Sequence, residues 1–350
     1  MKIIQIEVSS RCNADCLMCP KSSYKDLWSF GDMDLEDYTK ISSCFDECDI
    51  VWLQGWGEPL LSKNIYEMVR LAGRRDTTVG LTTNAMLLNS ERSRRLIENG
   101  VKVLSISIAG GTRETHESIR RGTSFNKIIE NVKALTQLRR NVNARDLKVI
   151  FTFLRIKQNI AELPRVVELA SELDVDQVIG TNIDYIPTKE HYDMKIFSEG
   201  KASKEYLEII RSSEERAREL GVSIFNYPIE MEEVIVCPED PTRGLFISHD
   251  GSVSPCVYLN VPLRSHTIPR YFKNTQYDVP KLIYGNIKVE RLEEIWRKKE
   301  YMEFRDVYNE RVKSSKPTVS FIQSLLEVRE VHRIPQIPEP CRTCYKAYGV

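Results

Sequence analysis

Hydrophobic and polar positions follow two alternating patterns over the first two-thirds of the chain. Short apolar runs rich in β-branched residues are typical of buried strands, and they occur at 3–8, 50–53, 77–81, 101–108, 147–154 and 175–179. Segments with apolar residues three and four positions apart are typical of helices, and they lie between the strands at about 35–48, 64–74, 90–98, 125–140 and 160–173. A further helix is predicted over about 203–220, with Gly221 as its C-cap. This alternation predicts an α/β fold with a parallel sheet and right-handed crossovers.

The pattern changes after a short strand at 222–225. Six strand–helix units are fewer than the eight of a complete barrel, so the pattern alone leaves a partial barrel and an open doubly wound sheet as alternatives. Further on, two apolar runs flank His249-Asp250-Gly251, which predicts a hairpin because Asp-Gly tolerates a tight turn. Helices are predicted at about 292–308 and 319–331. We therefore expect two domains, residues 1–225 and 226–350.

Charge and composition exclude several classes of protein. The 350 residues include 50 Lys plus Arg and 50 Asp plus Glu, so the formal net charge is zero. This balance argues against a general nucleic-acid partner and against a polybasic membrane anchor. No apolar run approaches the roughly 18 residues of a membrane span, and no secretion signal precedes the first strand. A cytoplasmic location is expected, in which nine clustered cysteines are better explained as metal ligands than as disulfides.

Three cysteines directly follow the first strand. Cys12, Cys16 and Cys19 are separated by three and then two residues, on a loop at the C-terminal edge of the sheet, where α/β folds place their chemistry. A closed zinc site would need a fourth Cys or His nearby, and the sequence offers none locally. An iron–sulfur cube held by three cysteines instead leaves one iron open to another ligand.

This Cys-x3-Cys-x2-Cys spacing resembles the radical S-adenosylmethionine (SAM) superfamily, and similar motifs follow the next three strands. They are Gly57-Glu58-Pro59, Thr83-Asn84-Ala85 and Ser105-Ile-Ser-Ile-Ala-Gly110, the last followed by Glu114-Thr115-His116 and Arg120-Arg121-Gly122. The chain departs from the family pattern where Trp56 replaces a glycine and Ala109 an aspartate. Met18 likewise stands where relatives usually carry an aromatic residue near the adenine.

The resemblance implies a partial (β/α)6 TIM-like barrel in which Cys12, Cys16 and Cys19 hold a [4Fe-4S] cluster whose open iron binds SAM. It also implies SAM-binding roles for residues carried by the matching motifs: Met18, Gly57, Glu58, Pro59, Asn84, Ser107 and Arg121, or Arg120 in its place. The implied activity is reductive cleavage of SAM to a 5′-deoxyadenosyl radical, which abstracts hydrogen from a substrate. A ferredoxin or flavodoxin is the expected reductant, and no general base is assigned.

A second group of cysteines lies in the C-terminal third: Cys237, Cys256, Cys341 and Cys344. Four thiols suit either structural zinc or an iron–sulfur cluster. The hairpin ending at Cys256, with Gly285-Asn286-Ile287 and Leu292-Glu-Glu-Ile-Trp296, resembles the SPASM/twitch extension of radical SAM enzymes. The resemblance implies a shortened, SPASM/twitch-like iron–sulfur domain with one auxiliary [4Fe-4S] cluster. With all four thiols bound, no iron would be open, which favours electron transfer or a structural role.

Two other sets of residues could carry function. Cys44 and Cys48 follow the apolar stripe of the first long helix, so buried structural cysteines are favoured over a redox pair. His191 and Tyr192 lie in the loop after the sixth strand and are candidate substrate contacts, although an ordinary surface loop explains them equally well.

The substrate is less constrained than the chemistry. Enzymes with this extension mostly modify peptides or proteins, and no leader-binding domain is expected before a barrel strand that begins at Lys2. The segments 54–61 and 341–349 resemble maturases of tungsten-cofactor aldehyde ferredoxin oxidoreductases. The expected substrate is therefore a peptide, a protein or a cofactor precursor. The alternatives are an alcohol dehydrogenase that uses the auxiliary cluster as electron acceptor, and a non-catalytic iron–sulfur electron carrier or sensor.

Overall fold

A computed structural model describes residues 1–73, 77–315 and 334–350. Most of the chain builds one ten-stranded sheet with helices packed on it, and a separate two-stranded hairpin lies in the C-terminal third. The helix predicted over 319–331 lies outside the described residues. Within the described part of the chain, no helix is both long and apolar enough to span a bilayer.

Seven parallel strands follow one another in chain order and form the barrel part of the sheet. They are β1 (Ile3–Ile6), β2 (Ile50–Leu53), β3 (Thr78–Thr83), β4 (Val103–Ile108), β5 (Lys148–Arg155), β6 (Gln177–Asn182) and β7 (Ser223–Asn226). All seven were predicted to within three residues. Because the seven strands keep their chain order without the reversal of a doubly wound sheet, the arrangement is an α/β partial TIM barrel and not an open doubly wound sheet.

Side chains on the two faces of the barrel strands have different surroundings. Ile4, Ile6, Val51 and Leu53 are fully buried in the main apolar core, which they share with the helices. The opposite face carries polar side chains among apolar ones such as Trp52, and on it Ser105 Oγ lies 2.6 Å from the Thr152 hydroxyl of the neighbouring strand. One face of the sheet is therefore buried in the apolar core, and the other face carries polar groups.

The helices that cover the sheet are α1 (Pro20–Ser23), α2 (Leu35–Ile41), α3 (Ile65–Ala72), α4 (Ser90–Glu98), α5 (Arg113–Ile119), α6 (Phe125–Asn141), α7 (Leu163–Glu172), α8 (Lys189–Met194) and α9 (Lys204–Leu220). Six of these helices were predicted, but the first of the six ends at Ile41 and not at residue 48, and the short helices α1, α5 and α8 were not predicted. Side chains cap several N-termini; Ser124, for example, accepts from Lys127 N. Gly221 ends α9 with φ +70°, as predicted.

The C-terminal third continues the same sheet. Strand β8 (Gly244–Ile247) pairs parallel with β1, and β9 (Ser252–Ser254) completes the predicted hairpin. The boundary placed at 225/226 falls at the end of β7, on the opposite edge of the sheet. The remaining elements are β10 (Thr267–Phe272), β11 (Thr275–Pro280), β12 (Gly285–Asn286), α10 (Leu292–Trp296) and α11 (Lys299–Ser315). The predicted helix 292–308 is thus two helices, and the β10–β11 hairpin was not predicted.

Candidate functional site

The first cysteine group lines a single cavity at the C-terminal edge of the barrel strands. Cys12, Cys16 and Cys19 all border this space of about 230 Å³, hereafter the upper cavity. Burial raises the pKa of the Cys12 thiol, and it raises that of Cys19 to about 12. Binding of a metal centre must therefore displace protons from these thiols. The nearby Lys21 ammonium, held by a 2.6 Å bond to Ala14 O, acts in the opposite direction on both pKa values.

The segment after β2 is locked against the loop that carries these cysteines. Gly57 passes so close to that loop that a Cβ on it would lie 2.2 Å from Ser9 O and 2.6 Å from Arg11 O. The next residue, Glu58, donates its backbone N–H to Arg11 O at 2.7 Å. Glycine is therefore required at position 57 by the close approach of two backbones.

Glu58 presents a buried carboxylate at the wall of the upper cavity. It is 2% exposed and accepts hydrogen bonds from Thr83 Oγ1 (2.7 Å), Asn84 N (2.8 Å) and Leu60 N (3.1 Å). Burial raises its pKa, while these hydrogen bonds and the Arg120 charge lower it. The following Pro59 is buried and begins a short 3₁₀ turn, but it does not line the cavity.

Other residues singled out from the sequence separate into those that border the upper cavity and those that do not. Met18, Asn84 and Ser107 border it. Arg120 also lines the cavity, with one guanidinium nitrogen 3.8 Å from Cys16 Sγ. Its buried Nε has no hydrogen-bond partner among the residues that the structure describes. Arg121 is exposed and lies outside the lining.

Glu7, directly after β1, was missed by sequence reasoning. It is completely buried, and its carboxylate accepts from Trp56 N at 2.8 Å, Ser248 Oγ at 2.8 Å and His249 Nδ1 at 2.9 Å. A glutamate that ends an apolar strand carries no local sign of burial. Only its distant hydrogen-bond donors, some 49 and 241 positions away in sequence, account for its position.

The four C-terminal cysteines are drawn together from distant parts of the chain. Cys341 packs with Leu259, Phe304 and Tyr308 in a small apolar cluster, with Cys256 at its edge. Each of Cys237 and Cys256 is close enough to Cys341 and Cys344 for a mutual electrostatic effect. Burial raises the pKa of Cys341 to about 11, and the nearby Cys344 acts in the same direction.

Both cysteine groups have thiols available for a metal centre. None of the nine cysteines, all of which lie in the described residues, forms a disulfide. Within 1–73, 77–315 and 334–350, no three Cys, His, Asp or Glu side chains are close enough to hold a single metal ion. The upper cavity nevertheless presents three thiols, a donor set that fits a cluster with one open iron. Arg120, with its unpartnered Nε, lines the same cavity.

A second cavity of about 390 Å³, hereafter the lower cavity, is lined by barrel residues such as Gln5 and by Cys256 of the second cysteine group. Gln54 borders both cavities, so they are neighbours. Glu239 also lines the lower cavity, and burial raises the pKa of its carboxyl to about 7. The lower cavity thus holds polar groups of Gln5, Gln54 and Glu239 among apolar side chains such as that of Leu245.

Asp184 links the upper cavity to the segment that carries the last two cysteines. It lines the upper cavity and accepts from Tyr258 Oη at 2.6 Å. Its carboxylate also pairs with Lys346 Nζ at 3.0 Å, two residues beyond Cys344. The Lys346 ammonium is 5% exposed and lies 4.4 Å from the centre of the Tyr227 ring. Breaking such a buried pair leaves an uncompensated charge, so it fixes the C-terminal segment against the barrel.

The remaining sequence candidates have mainly structural surroundings. His191 is buried on α8, where its ring lies 2.8 Å from Thr188 Oγ1, and it does not line the upper cavity. Tyr192 stacks edge-on with Tyr271. Cys44 and Cys48 are both buried in the main core, as the helical stripe predicted.

Comparison with known proteins agrees with this geometry. A family model described as the radical SAM superfamily matches residues 6–170, and one described as an iron–sulfur cluster-binding domain, SPASM, matches residues 237–345. Among curated proteins, a tungsten-containing aldehyde ferredoxin oxidoreductase cofactor-modifying protein of Pyrococcus furiosus is 26% identical over 313 residues. That alignment covers 87% of this chain and 83% of the relative.

Solved structures agree in fold. A structure described as native anSMEcpe with bound AdoMet is 18% identical, with a TM-score of 0.62 over 88% of this chain and 84% of that one. Streptococcus suis SuiB bound to the precursor peptide SuiA is 14% identical, with a TM-score of 0.60 over 99% of this chain and 70% of that one. At these identities the likeness concerns the fold.

Proposed function

Because the chain belongs to the radical SAM superfamily and carries a SPASM domain, we propose that it uses hydrogen abstraction to mature a tungsten- or molybdenum-pterin oxidoreductase. The substrate would be a peptide or protein segment of that enzyme or a precursor of its cofactor. The relative from Pyrococcus furiosus, aligned over most of both chains, supports this choice. The observation that carries the chemistry is the upper cavity, where three thiols meet a buried carboxylate and a partly unsatisfied arginine.

Each residue around the upper cavity has a proposed role. Cys12, Cys16 and Cys19 would hold a [4Fe-4S] cluster, which supplies, when bound, the electron that cleaves SAM to methionine and a 5′-deoxyadenosyl radical. The acceptor oxygens of Glu58 suit an ammonium group, and the Arg120 guanidinium suits a carboxylate. Arg120 therefore takes the place that the sequence motif gave to Arg121.

The remaining sequence candidates at this site keep supporting roles in the proposal. Asn84 and Ser107 supply further polar contacts to SAM. Met18 lines the wall expected beside the adenine, Gly57 allows the close backbone approach, and Pro59 starts the turn that directs Glu58. All of these residues orient SAM; none is assigned as an acid or base.

A second iron–sulfur cluster is proposed at Cys237, Cys256, Cys341 and Cys344. Thiolate ligands would suit it, and its place beside the lower cavity allows electron transfer from a substrate radical. Cys256 lines that cavity directly, so a substrate held there would be close to the auxiliary cluster. A ferredoxin or flavodoxin would reduce the first cluster.

The test is anaerobic reconstitution followed by reduction in the presence of SAM. We expect about eight irons per chain, from two four-iron clusters, and formation of 5′-deoxyadenosine that a Cys16→Ala variant abolishes. Co-incubation with an immature tungsten oxidoreductase should accelerate 5′-deoxyadenosine formation and change the mass of that protein or its pterin. Fully reconstituted protein that makes no 5′-deoxyadenosine with any substrate would refute the enzymatic proposal.

A second candidate function is dehydrogenation of a small alcohol. The lower cavity favours it, because about 390 Å³ lies within the ~300–1,000 Å³ range of small-molecule sites and borders Cys256. Stoichiometric conversion of an added alcohol to its aldehyde or ketone, with one 5′-deoxyadenosine per product, would select this function over the maturation of a protein.

A further inference from the structure

We propose that Glu7 is a positioning residue through which the β8–β9 hairpin of the C-terminal domain holds the SAM-binding segment 54–58 in place. This inference rests on the proposed function, because it concerns the affinity of the upper cavity for SAM. Glu7 does not itself line that cavity. It acts through Trp56, whose neighbours Gly57 and Glu58 form the cavity wall.

The two oxygens of the Glu7 carboxylate are directed to different parts of the molecule. Oε1 accepts from Trp56 N at 2.8 Å, within the segment that follows β2. Oε2 accepts from Ser248 Oγ at 2.8 Å and His249 Nδ1 at 2.9 Å, in the turn between β8 and β9. Since a carboxylate only accepts, the His249 ring must carry its hydrogen on Nδ1. One buried group therefore joins the barrel to the hairpin that leads into Cys256.

Two glycines leave room for the contact between the Glu7 and His249 side chains. A Cβ on Gly55 would lie 2.4 to 2.6 Å from three atoms of the Glu7 side chain. A Cβ on Gly31 would lie 2.6 Å from the imidazole of His249. Neither glycine has a positive φ, so the turn geometry does not require them. They are explained by the close passage of the Glu7 and His249 side chains.

The arrangement couples the hairpin to the upper cavity. The Trp56 indole makes a second contact across the same boundary, donating Nε1–H to Val257 O at 3.3 Å, directly after Cys256. Loss of the Ser248 and His249 side-chain donors would leave the buried Glu7 carboxylate with Trp56 N and the long 3.4 Å bond from His249 N as donors, at a cost in desolvation. The carboxylate would then shift toward other donors, and Trp56 with the cavity wall would shift with it.

The experiment measures SAM affinity in hairpin variants of reconstituted full-length protein. We expect His249→Leu and Ser248→Ala each to raise the Kd for SAM about tenfold, which corresponds to one charge-assisted hydrogen bond. His249→Asn, whose side-chain amide can replace the Nδ1 donor, should restore most of the affinity. The spectroscopic check is the electron paramagnetic resonance signal of the reduced protein, whose change on adding SAM should require a higher SAM concentration in His249→Leu.

Ser213→Ala is the matched control. Ser213 is a fully buried serine whose hydroxyl donates to Ile210 O within α9, remote from both cavities. We expect the iron content and the Kd for SAM of the Ser213→Ala variant to equal those of the wild type. Unchanged SAM affinity in His249→Leu with full iron content, or equal losses in His249→Leu and His249→Asn, would overturn the inference. Wild-type protein that does not bind SAM would instead refute the proposed function.

Discussion

Replacing Gly57 with alanine tests whether the close approach of two backbones shapes the upper cavity. The added Cβ would lie 2.2 Å from Ser9 O, whereas real Cβ atoms essentially never come within 3.0 Å of another heavy atom. The segment and the cysteine loop must therefore separate by about 0.8 Å, because neither contact atom belongs to a flexible side chain. The 2.7 Å hydrogen bond from Glu58 N to Arg11 O would be strained by the same movement.

The expected loss of SAM affinity follows from the cost of overpacking, which is about 1–3 kcal/mol. If that strain is relieved in the free protein and must be restored to bind SAM, the Kd rises about 5-fold to 150-fold. Equilibrium dialysis of reconstituted Gly57→Ala protein with labelled SAM measures this change, and iron analysis shows whether the cluster is present.

Gly200→Ala is the matched control, since a Cβ at that exposed position meets nothing within 4 Å and its φ is not positive. The control should bind SAM like the wild type. A Gly57→Ala variant with full iron content and wild-type affinity would refute the argument that this contact sets the cavity wall.

Three further predictions test other parts of the site. Arg120→Leu should raise the Kd for SAM at least tenfold through loss of a charge-assisted contact, while Arg121→Leu should change it less than twofold; equal effects in dialysis would contradict the assignment. Cys237→Ala should lower the iron content from about eight to about four per chain, keeping SAM cleavage while product formation fails; loss of cleavage as well would indicate a structural auxiliary cluster. Burial and the Arg120 charge lower the pKa of His116 to about 3, so the unfolded state alone takes up this proton as the pH falls below about 6.5. The free energy of unfolding should therefore fall by up to about 1.4 kcal/mol for each pH unit between pH 6.5 and 3. Denaturant titrations of His116→Phe should show a free energy of unfolding that lacks this contribution to the pH dependence.

The barrel was predictable because its pattern is local, whereas the β10–β11 hairpin was not. Strand β10 contains Pro269, which removes a ladder donor and weakens the strand signal. Its turn uses Lys273 and Asn274, both with positive φ, in place of the Asn-Gly or Asp-Gly pair that identifies such turns. The hairpin is held by its strand pairing and by Tyr185 Oη, which donates to Pro269 O at 2.9 Å. A contact of this kind joins residues that are distant in the sequence, so a local pattern does not predict it.

The candidate site shows the same division between local motif and distant contact. The spacing of Cys12, Cys16 and Cys19 is a local pattern, and their shared position at the C-terminal edge of the sheet was expected from it. Glu7 has no such pattern, since a single carboxylate after an apolar strand is normally solvated. Its burial depends on donors from Trp56 and from the β8–β9 turn. Residues that support a site from a second layer of contacts are therefore those that sequence reasoning misses most easily.

The side chains of Arg120 and Arg121 take different positions because of the backbone conformation at Arg120, which the sequence does not reveal. Helix α5 ends at Ile119, and Arg120 leaves helical geometry with φ −96° and ψ 65°. This turn brings the Arg120 side chain to Cys16, while the Arg121 carbonyl accepts from Asp15 N at 2.7 Å and its side chain remains exposed. The backbone of one arginine thus fixes the cysteine loop, and the side chain of the other lines the cavity. A double substitution would mix these two functions, so only the single variants can separate SAM binding from loop position.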